Sequence, residues 1–442
     1  MPYKIGMVSL GCPKNQVDAE IMLSLLRNGG FEITGDERLA DAIIVNTCGF
    51  IESAKAEAIE NILEVSGYKE NGNLKALIVT GCMAERYRDE VKKEIPEIDA
   101  VVGIGSNKDI VAIVKAALEG KGELCFDEKS ELLLSGERVL STPKYTAYLR
   151  IADGCDNKCT YCAIPSIRGG FRSRMMEDVL AEAKGLAENG VKELVLIAQD
   201  TTRYGEDIYG RLELPVLLKE LCKINGIEWI RLLYIYPDRI TDELLNVMAE
   251  EEKILKYLDI PLQHASGKIL KRMNRSGDRE SLTALLNKVR AKMPDMTIRT
   301  TFIVGFPDED ENDFRELAEF IKEIKFDRLG CFTYSMEEGT PAALFDNQIE
   351  EDVKARRMEV IMLEQSEVME AINEAKVGTT ASVLVEGFDS LNKCYYGRTK
   401  ADAPDIDGKV FFETKKSFLP GDIILVEITD TLEYDVIGTV ID

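Results

Sequence analysis

The chain has 442 residues, 45% of them hydrophobic and 30% charged, with a formal net charge of −24. That length divides into two to four domains at roughly 100 to 200 residues each. No apolar run reaches the roughly 20 residues of a membrane helix, and the apolar stretch after Met1 is too short for a secretory signal. A cytoplasmic protein is expected, with its ten cysteines present as thiols or metal ligands and not as disulfides. The excess of acid argues against a nucleic-acid substrate and for a basic protein partner, because phosphate binding draws on cationic side chains. A single histidine, His264, excludes polyhistidine metal sites.

Residues 1–120 alternate short apolar runs with amphipathic stretches. Strands are predicted at 5–10, 42–46, 76–80 and 100–103, and helices at 16–28, 53–65, 86–94 and 108–118. Strands buried on both faces and separated by helices imply a doubly wound parallel sheet. Cys12, Cys48 and Cys82 each follow one of the first three strands, and each adjoins a glycine: Gly11, Gly49 and Gly81. The carboxyl ends of the strands of such a sheet share one edge, where these folds bind ligands. Glycine lets backbone approach a bulky inorganic group, so a three-cysteine 4Fe-4S site with one open iron is expected there. Residues 121–143, with Gly122, Gly136 and Pro143 among charged residues, read as a linker.

The strand-like run 148–152 leads into Cys155, Cys159 and Cys162, spaced Cys-x3-Cys-x2-Cys. Three soft ligands are too few to close a zinc site but enough for three irons of a cube, which leaves the fourth iron open. With Tyr161 just before the last cysteine, this spacing resembles the cluster motif of the radical S-adenosylmethionine enzymes. Downstream, strands at 193–198, 229–234, 257–260, 298–304 and 328–334 alternate with helices at 175–189, 214–224, 242–251, 281–292 and 311–325. Six strand–helix units, counting from the cluster loop, suggest a partial (β/α)6 barrel with its chemistry at the carboxyl ends of the strands. The polar groups that directly follow strands are Gln199 and Asp200, Tyr236, Gln263 and His264, and Gly305. With Tyr161, the residues Gln199, Asp200, Gln263, His264 and Gly305 are the candidate contacts for S-adenosylmethionine.

A long helix is predicted over 349–375, with Met358, Met362 and Met369 on its packed face. From there to residue 442 the pattern becomes all-β, with runs at 381–385, 410–412, 423–428 and 436–441 between Gly, Pro and Asp turns, as in a small OB-like barrel. Residues 376–442 carry seven Lys or Arg against twelve Asp or Glu, a net of −5. An oligonucleotide-binding barrel is ordinarily basic.

Taken over the whole chain, these features resemble the methylthiotransferase family. The match consists of an N-terminal domain (1–120) with three dispersed cysteines, a radical S-adenosylmethionine core (144–374) and a C-terminal TRAM barrel (375–442). The phrases at 10–18, 46–55 and 168–174 are similar to the RimO branch, whose members modify an aspartate of small-subunit ribosomal protein twelve. The tRNA-modifying branch usually has Gln-Met in place of Pro13-Lys14, and an arginine-containing phrase after the second cysteine.

The resemblance implies a transferase with two 4Fe-4S clusters and S-adenosyl-L-methionine. The cluster at Cys155, Cys159 and Cys162 passes one electron to S-adenosylmethionine, and the resulting 5′-deoxyadenosyl radical removes hydrogen from the aspartate β-carbon. The cluster at Cys12, Cys48 and Cys82 carries a sulfur, methylated by a second S-adenosylmethionine, that recombines with the carbon radical. An electron donor and a sulfur source come from outside. The competing readings are a tRNA adenosine methylthiotransferase, which should prefer a positive surface, and a non-catalytic iron–sulfur or RNA-binding protein.

Overall fold

The computed structural model describes residues 2–441. Its first sheet has six parallel strands in the order Glu32–Ile33, Lys4–Ser9, Ala42–Thr47, Ala76–Gly81, Ala100–Val102, Leu124–Cys125. Period-two alternation sends Ile43, Val45, Leu77 and Val79 to one face, against Ala58 and Ile62 of the helix Glu52–Ser66. Ala42, Ile44, Ala76 and Ile78 go to the other face, against Met22 and Leu26 of Pro13–Asn28 and Ile110 and Val114 of Ile110–Leu118. Both faces are covered, as the unbroken apolar runs require.

The stretch 121–143, expected as a linker, contributes the edge strand Leu124–Cys125 to this sheet. It then runs as an anchored strap. Arg138 donates to Glu20, to Glu182 and to the Tyr148 carbonyl, and Ser141 donates to Glu20. The helix expected over 86–94 is two short helices, Cys82–Tyr87 and Asp89–Glu94, broken at Arg88, whose φ is +47°.

The second sheet is also parallel throughout, in the order Arg328–Thr333, Thr297–Val304, Ile254–Asp259, Trp229–Leu232, Glu193–Ile197, Thr146–Arg150. Leu194 and Leu196 face outward onto Val179, Ala183 and Leu217 of the surrounding helices. Val195 and Ile197 face inward with Tyr148, Leu233 and Tyr257, where Val17 and Ile21 of the helix Pro13–Asn28 join them from the first domain. Leu384 and Ala403 of the C-terminal barrel belong to the same inner cluster. The partial barrel is thus filled by side chains of both flanking domains.

The helix Glu351–Glu374 packs Ile361 into the outer core, with Met358 and Met362 against it. The last domain is a closed five-stranded barrel of Thr380–Asp389, Cys394–Thr399, Val410–Glu413, Ile423–Leu432 and Asp435–Val440. It is pinned to the central sheet by Arg398, whose guanidinium lies 2.6 Å from buried Glu193. Among the described residues, no helix is long and apolar enough to cross a membrane.

Candidate functional site: two cysteine triplets joined by one helix

The loop carrying Cys155, Cys159 and Cys162 leaves the central sheet through a short antiparallel pairing of Ala152–Asp153 with Arg172–Ser173. Gly154 makes this turn at φ +76°; a Cβ there would lie 2.0 Å from the Gly170 carbonyl oxygen, so no side chain fits. The Cys155 N–H donates to Gly169 O at 3.1 Å, and the Asn157 N–H points at Cys155 Sγ at 3.5 Å. Asn157 Nδ2 donates to Asp200 at 3.0 Å, and Arg239 donates to both Asp200 and Asn157. Asp200 therefore ties the loop to the end of the strand Glu193–Ile197. Burial pushes the Cys155 thiol up to about 11 and the Cys162 thiol up to about 12, each raised further by its neighbouring cysteines.

Cys12 stands at the N-cap of Pro13–Asn28, Cys48 follows the strand Ala42–Thr47, and Cys82 opens the helix Cys82–Tyr87. The adjoining glycines are where the chains crowd. A Cβ on Gly11 would lie 2.8 Å from Cys48 Cβ, one on Gly49 would lie 2.6 Å from Met83 Cα, and one on Gly81 would lie 2.4 Å from Thr47 O. Burial pushes the Cys82 thiol up to about 12; Arg168 opposes this, while Cys12 and Cys48 add to it, which places all three thiols in one another's field.

The two triplets meet. Two residues beyond Cys162 the helix Ile164–Arg168 begins; Ala163 and Ile167 pack on Cys82, and Arg168 ends 3.8 Å from its Sγ. Arg168 also donates to Asn15 at 2.6 Å, to Asp18 at 2.8 Å and to Asp153 at 2.8 Å. Arg150 bonds the same two carboxylates, closing a buried ring of two arginines and two aspartates whose charges balance. Beside it, burial pulls the Lys14 ammonium down to about 8, with Cys12 opposing and Arg168 reinforcing the shift.

Of the other expected contacts, Tyr161 is half-buried beside Cys159 and Cys162, and desolvation and both cysteines raise its phenol well above the usual tyrosine range. Gln199 donates to Asp153 at 3.4 Å, while its side-chain oxygen is buried with no partner among the described residues. Gln263 holds φ +74° at the edge of the strand Thr297–Val304. His264 and Gly305 belong to a different network. The imidazole is fully buried, its Nδ1 accepts from the Ser266 N–H at 2.9 Å, and its Nε2 lies 3.5 Å from Glu309. Glu309 also accepts from the Gly305 N–H at 2.8 Å and pairs with Arg357. Ser266 turns to Asp313. His264 Nε2 and the Gly305 N–H therefore both face Glu309.

Sequence reasoning passed over four residues. Arg275 lies 3.7 Å from Cys159 Sγ and over the ring of Tyr236 at 4.3 Å. Asn15 and Arg168 reach Cys82 from opposite domains. Arg86 donates to the Gly49 carbonyl beside Cys48 and to Glu337 of the central domain. Asn15 and Arg168 lay in stretches already singled out, 10–18 and 168–174, while nothing local marks Arg275 or Arg86.

Among the described residues no three His, Cys, Asp or Glu side chains close on a single metal-ion point. An iron–sulfur cube takes its ligands at separate corners and asks for thiols spread wider than one ion does. Each triplet is three free thiols, the soft donor set of such a cube, and the unpartnered Gln199 oxygen is an acceptor for an amino group brought beside it. The donors present fit the group.

Residues 4–103 match the model of uncharacterized protein family UPF0004, 149–321 that of the radical SAM superfamily, and 377–441 that of the TRAM domain. Proteins called ribosomal protein uS12 methylthiotransferase RimO are 51% identical in Clostridium botulinum, over 100% of this chain and 98% of the relative, and 52% identical in Desulforamulus reducens, over 98% of each. The chain belongs to the RimO family. RimO of Acetivibrio thermocellus is 50% identical over 100% of this chain and 99% of its own length. As a radical S-adenosylmethionine methylthiotransferase the protein is an enzyme whose cofactors are S-adenosyl-L-methionine and 4Fe-4S clusters. Among solved structures, the radical S-adenosylmethionine methyltransferase TsrM from Kitasatospora setae, with cobalamin and a [4Fe-4S] cluster bound, aligns with a TM-score of 0.58 at 14% identity, over 78% of this chain and 77% of that one. That likeness speaks for the RimO fold alone.

Proposed function

We propose that this RimO-family enzyme inserts a methylthio group at the β-carbon of an aspartate in ribosomal protein uS12, within the cytoplasm, drawing electrons and sulfur from external donors. Cys155, Cys159 and Cys162 hold the cluster that serves S-adenosylmethionine, and Cys12, Cys48 and Cys82 hold the one that serves sulfur. We place Cys12, Cys48 and Cys82 in an N-terminal domain of residues 1–120, Cys155, Cys159 and Cys162 in a core of residues 144–374, and the TRAM barrel after it.

The carrying observation is the helix Ile164–Arg168, which starts beside one triplet and ends on the other, so that a hydrogen-abstracting site and a sulfur site meet at one domain junction. When bound, the cofactors supply the one-electron chemistry that an unactivated C–H bond demands and acid–base side chains lack. The chain's own groups hold and shield. Asp200, Asn157 and Arg239 fix the loop, Arg275 places a positive charge at Cys159, and the Arg150–Asp18–Arg168–Asp153 ring seals the domain junction.

The reading is tested by mass spectrometry of ribosomal proteins and tRNA from cells with and without the gene. Replacement of one hydrogen by a methylthio group on a uS12 aspartate is expected; the same gain on a tRNA adenosine refutes the reading. Anaerobic reconstitution is expected to load about eight irons per chain. Cys159→Ala is expected to abolish 5′-deoxyadenosine formation, and Cys48→Ala to lose the methylthio product while the nucleoside still forms.

A further inference from the structure

Lys14 is a buried ammonium, 6% exposed, at the junction of the two triplets. It lies two residues past Cys12, and the field at its Nζ includes Cys12, Arg168, Asp153 and Asp259. Among the described residues it makes no ion pair within 4 Å and no hydrogen bond; the face of Tyr234 lies under it, 3.0 Å from Nζ to the ring centroid. A desolvated cation gains far less from an aromatic face than from hydration or a carboxylate.

The neighbouring carboxylates are committed elsewhere. Asp153 pairs with Arg150 and Arg168, and Asp259 accepts from Arg299 at 2.9 Å and from the Tyr234 N–H at 2.9 Å. The cations around the mouth are committed too: Arg239 to Asp200 and Arg203 to Asp156. Arg275 also lacks a carboxylate among the described residues, but it is engaged by Cys159 Sγ and the Pro261 carbonyl; Lys14 has only the face of Tyr234.

Its support is held in place at a cost. Tyr234, just past the strand Trp229–Leu232, sits at φ +61°, a left-handed conformation that is strained for a residue with a side chain. The bonds from its N–H to Asp259 and from the Thr201 N–H to its carbonyl fix that conformation and turn the ring under Lys14. The backbone is constrained here to aim a cation, and an aimed, unpaired, buried cation calls for an anion brought by a ligand.

We propose that Lys14 binds the side-chain carboxylate of the aspartate to be modified and thereby makes the enzyme select aspartate over its neutral amide. The inference rests on the substrate class given under Proposed function. A carboxylate held at Lys14 is brought beside Cys12 of the N-terminal triplet. It also satisfies the ammonium with the charge-assisted bonds it lacks.

The test uses full-length, anaerobically reconstituted protein and two uS12-derived peptides, one with the target aspartate and one with asparagine in its place. Binding is read by fluorescence anisotropy and turnover by mass spectrometry. The wild type is expected to prefer the aspartate peptide about tenfold or more, the range of a hydrogen bond to a charged group. Lys14→Gln is expected to bring the ratio near one by weakening the aspartate peptide, with iron content retained, and Lys14→Arg to keep the preference. An unchanged ratio in Lys14→Gln overturns the inference, including the case where iron is lost and the ratio stays. Should Lys14→Gln not fold, Lys14→Arg decides, since loss of the preference in an iron-loaded Arg variant overturns it. A wild type that modifies neither peptide, with tRNA modified instead, defeats the substrate reading itself, whatever the Lys14 variants do.

Discussion

Arg168 has partners in both domains: Asp153 within the central domain, and Asp18, Asn15 and Cys82 in the first. All four charged members of its ring are at most 2% exposed at their side chains. Such a ring adds little net stability, yet breaking it is expensive because the remaining charges stay buried. Arg168→Met leaves two carboxylates to Arg150 alone. It is expected to cost about 3–5 kcal/mol, read as a lower midpoint in denaturant, and to loosen the first domain from the core so that proteolysis separates them. A midpoint within error of wild type would show that the ring does not carry the junction. Residues of this kind were the hardest to read from sequence. The six cysteines stand out because spacing and strand-end glycines are local signals, whereas Arg275 meets Cys159 across 116 positions and only folding makes them neighbours. His264 shows the converse. Lying after a strand made it a candidate contact, but which way a strand-end side chain turns depends on Glu309, far along the chain.

At the level of elements, the strands legible in the sequence were those buried on both faces, Ala42–Thr47 and Ala76–Gly81 above all, where every residue is buried. Two of those missed are edges of the first sheet. Glu32–Ile33 and Leu124–Cys125 are two residues each, too short for any periodicity. Cys394–Thr399, with Gly397 and Arg398 inside it, lacks an apolar run because its buried arginine serves Glu193. The strand-end glycines make a sharper prediction. Gly81→Ala meets both a φ of +94° and backbone at 2.4 Å, while Gly190→Ala has the same φ and nothing within 4 Å. The Gly190 change is expected to cost about 1 kcal/mol of conformational strain. The Gly81 change adds a clash with unyielding backbone and is expected to cost at least about 2 kcal/mol more, and to displace Cys82, so that reconstituted iron falls toward one cluster per chain. Equal thermal midpoints and equal iron for the two variants would refute the claim that close approach, and not φ, is what Gly81 provides.

For the molecule as a whole, the net charge of −24 finds its use only once the domains are assembled. On the C-terminal barrel, Glu413 and Glu427 both stand in register with Thr439 from the two flanking strands, and all three are exposed. In-register residues share a face, and strands lie about 4.8 Å apart, so the two carboxylates sit within about one Debye length at 0.1 M salt and their fields add. Leu425, 54% exposed, lies two residues from Glu427 on the same side of its strand. This row offers an anionic rim around an apolar point, a poor match for RNA and a good one for a ribosomal protein that carries cations to neutralise phosphates. Charge of this kind governs encounter more than chemistry. Glu413→Lys with Glu427→Lys is therefore expected to raise the KM for uS12 about tenfold at low salt, to leave kcat within about twofold, and to lose its effect near 1 M salt, where screening falls to about 3 Å. Both residues lie on the C-terminal barrel and not at the cysteine triplets, so iron content and 5′-deoxyadenosine formation report whether the rest of the enzyme is intact. A KM ratio that ignores salt would mean that the barrel does not steer the substrate electrostatically, and the acidity of this chain would then serve solubility alone.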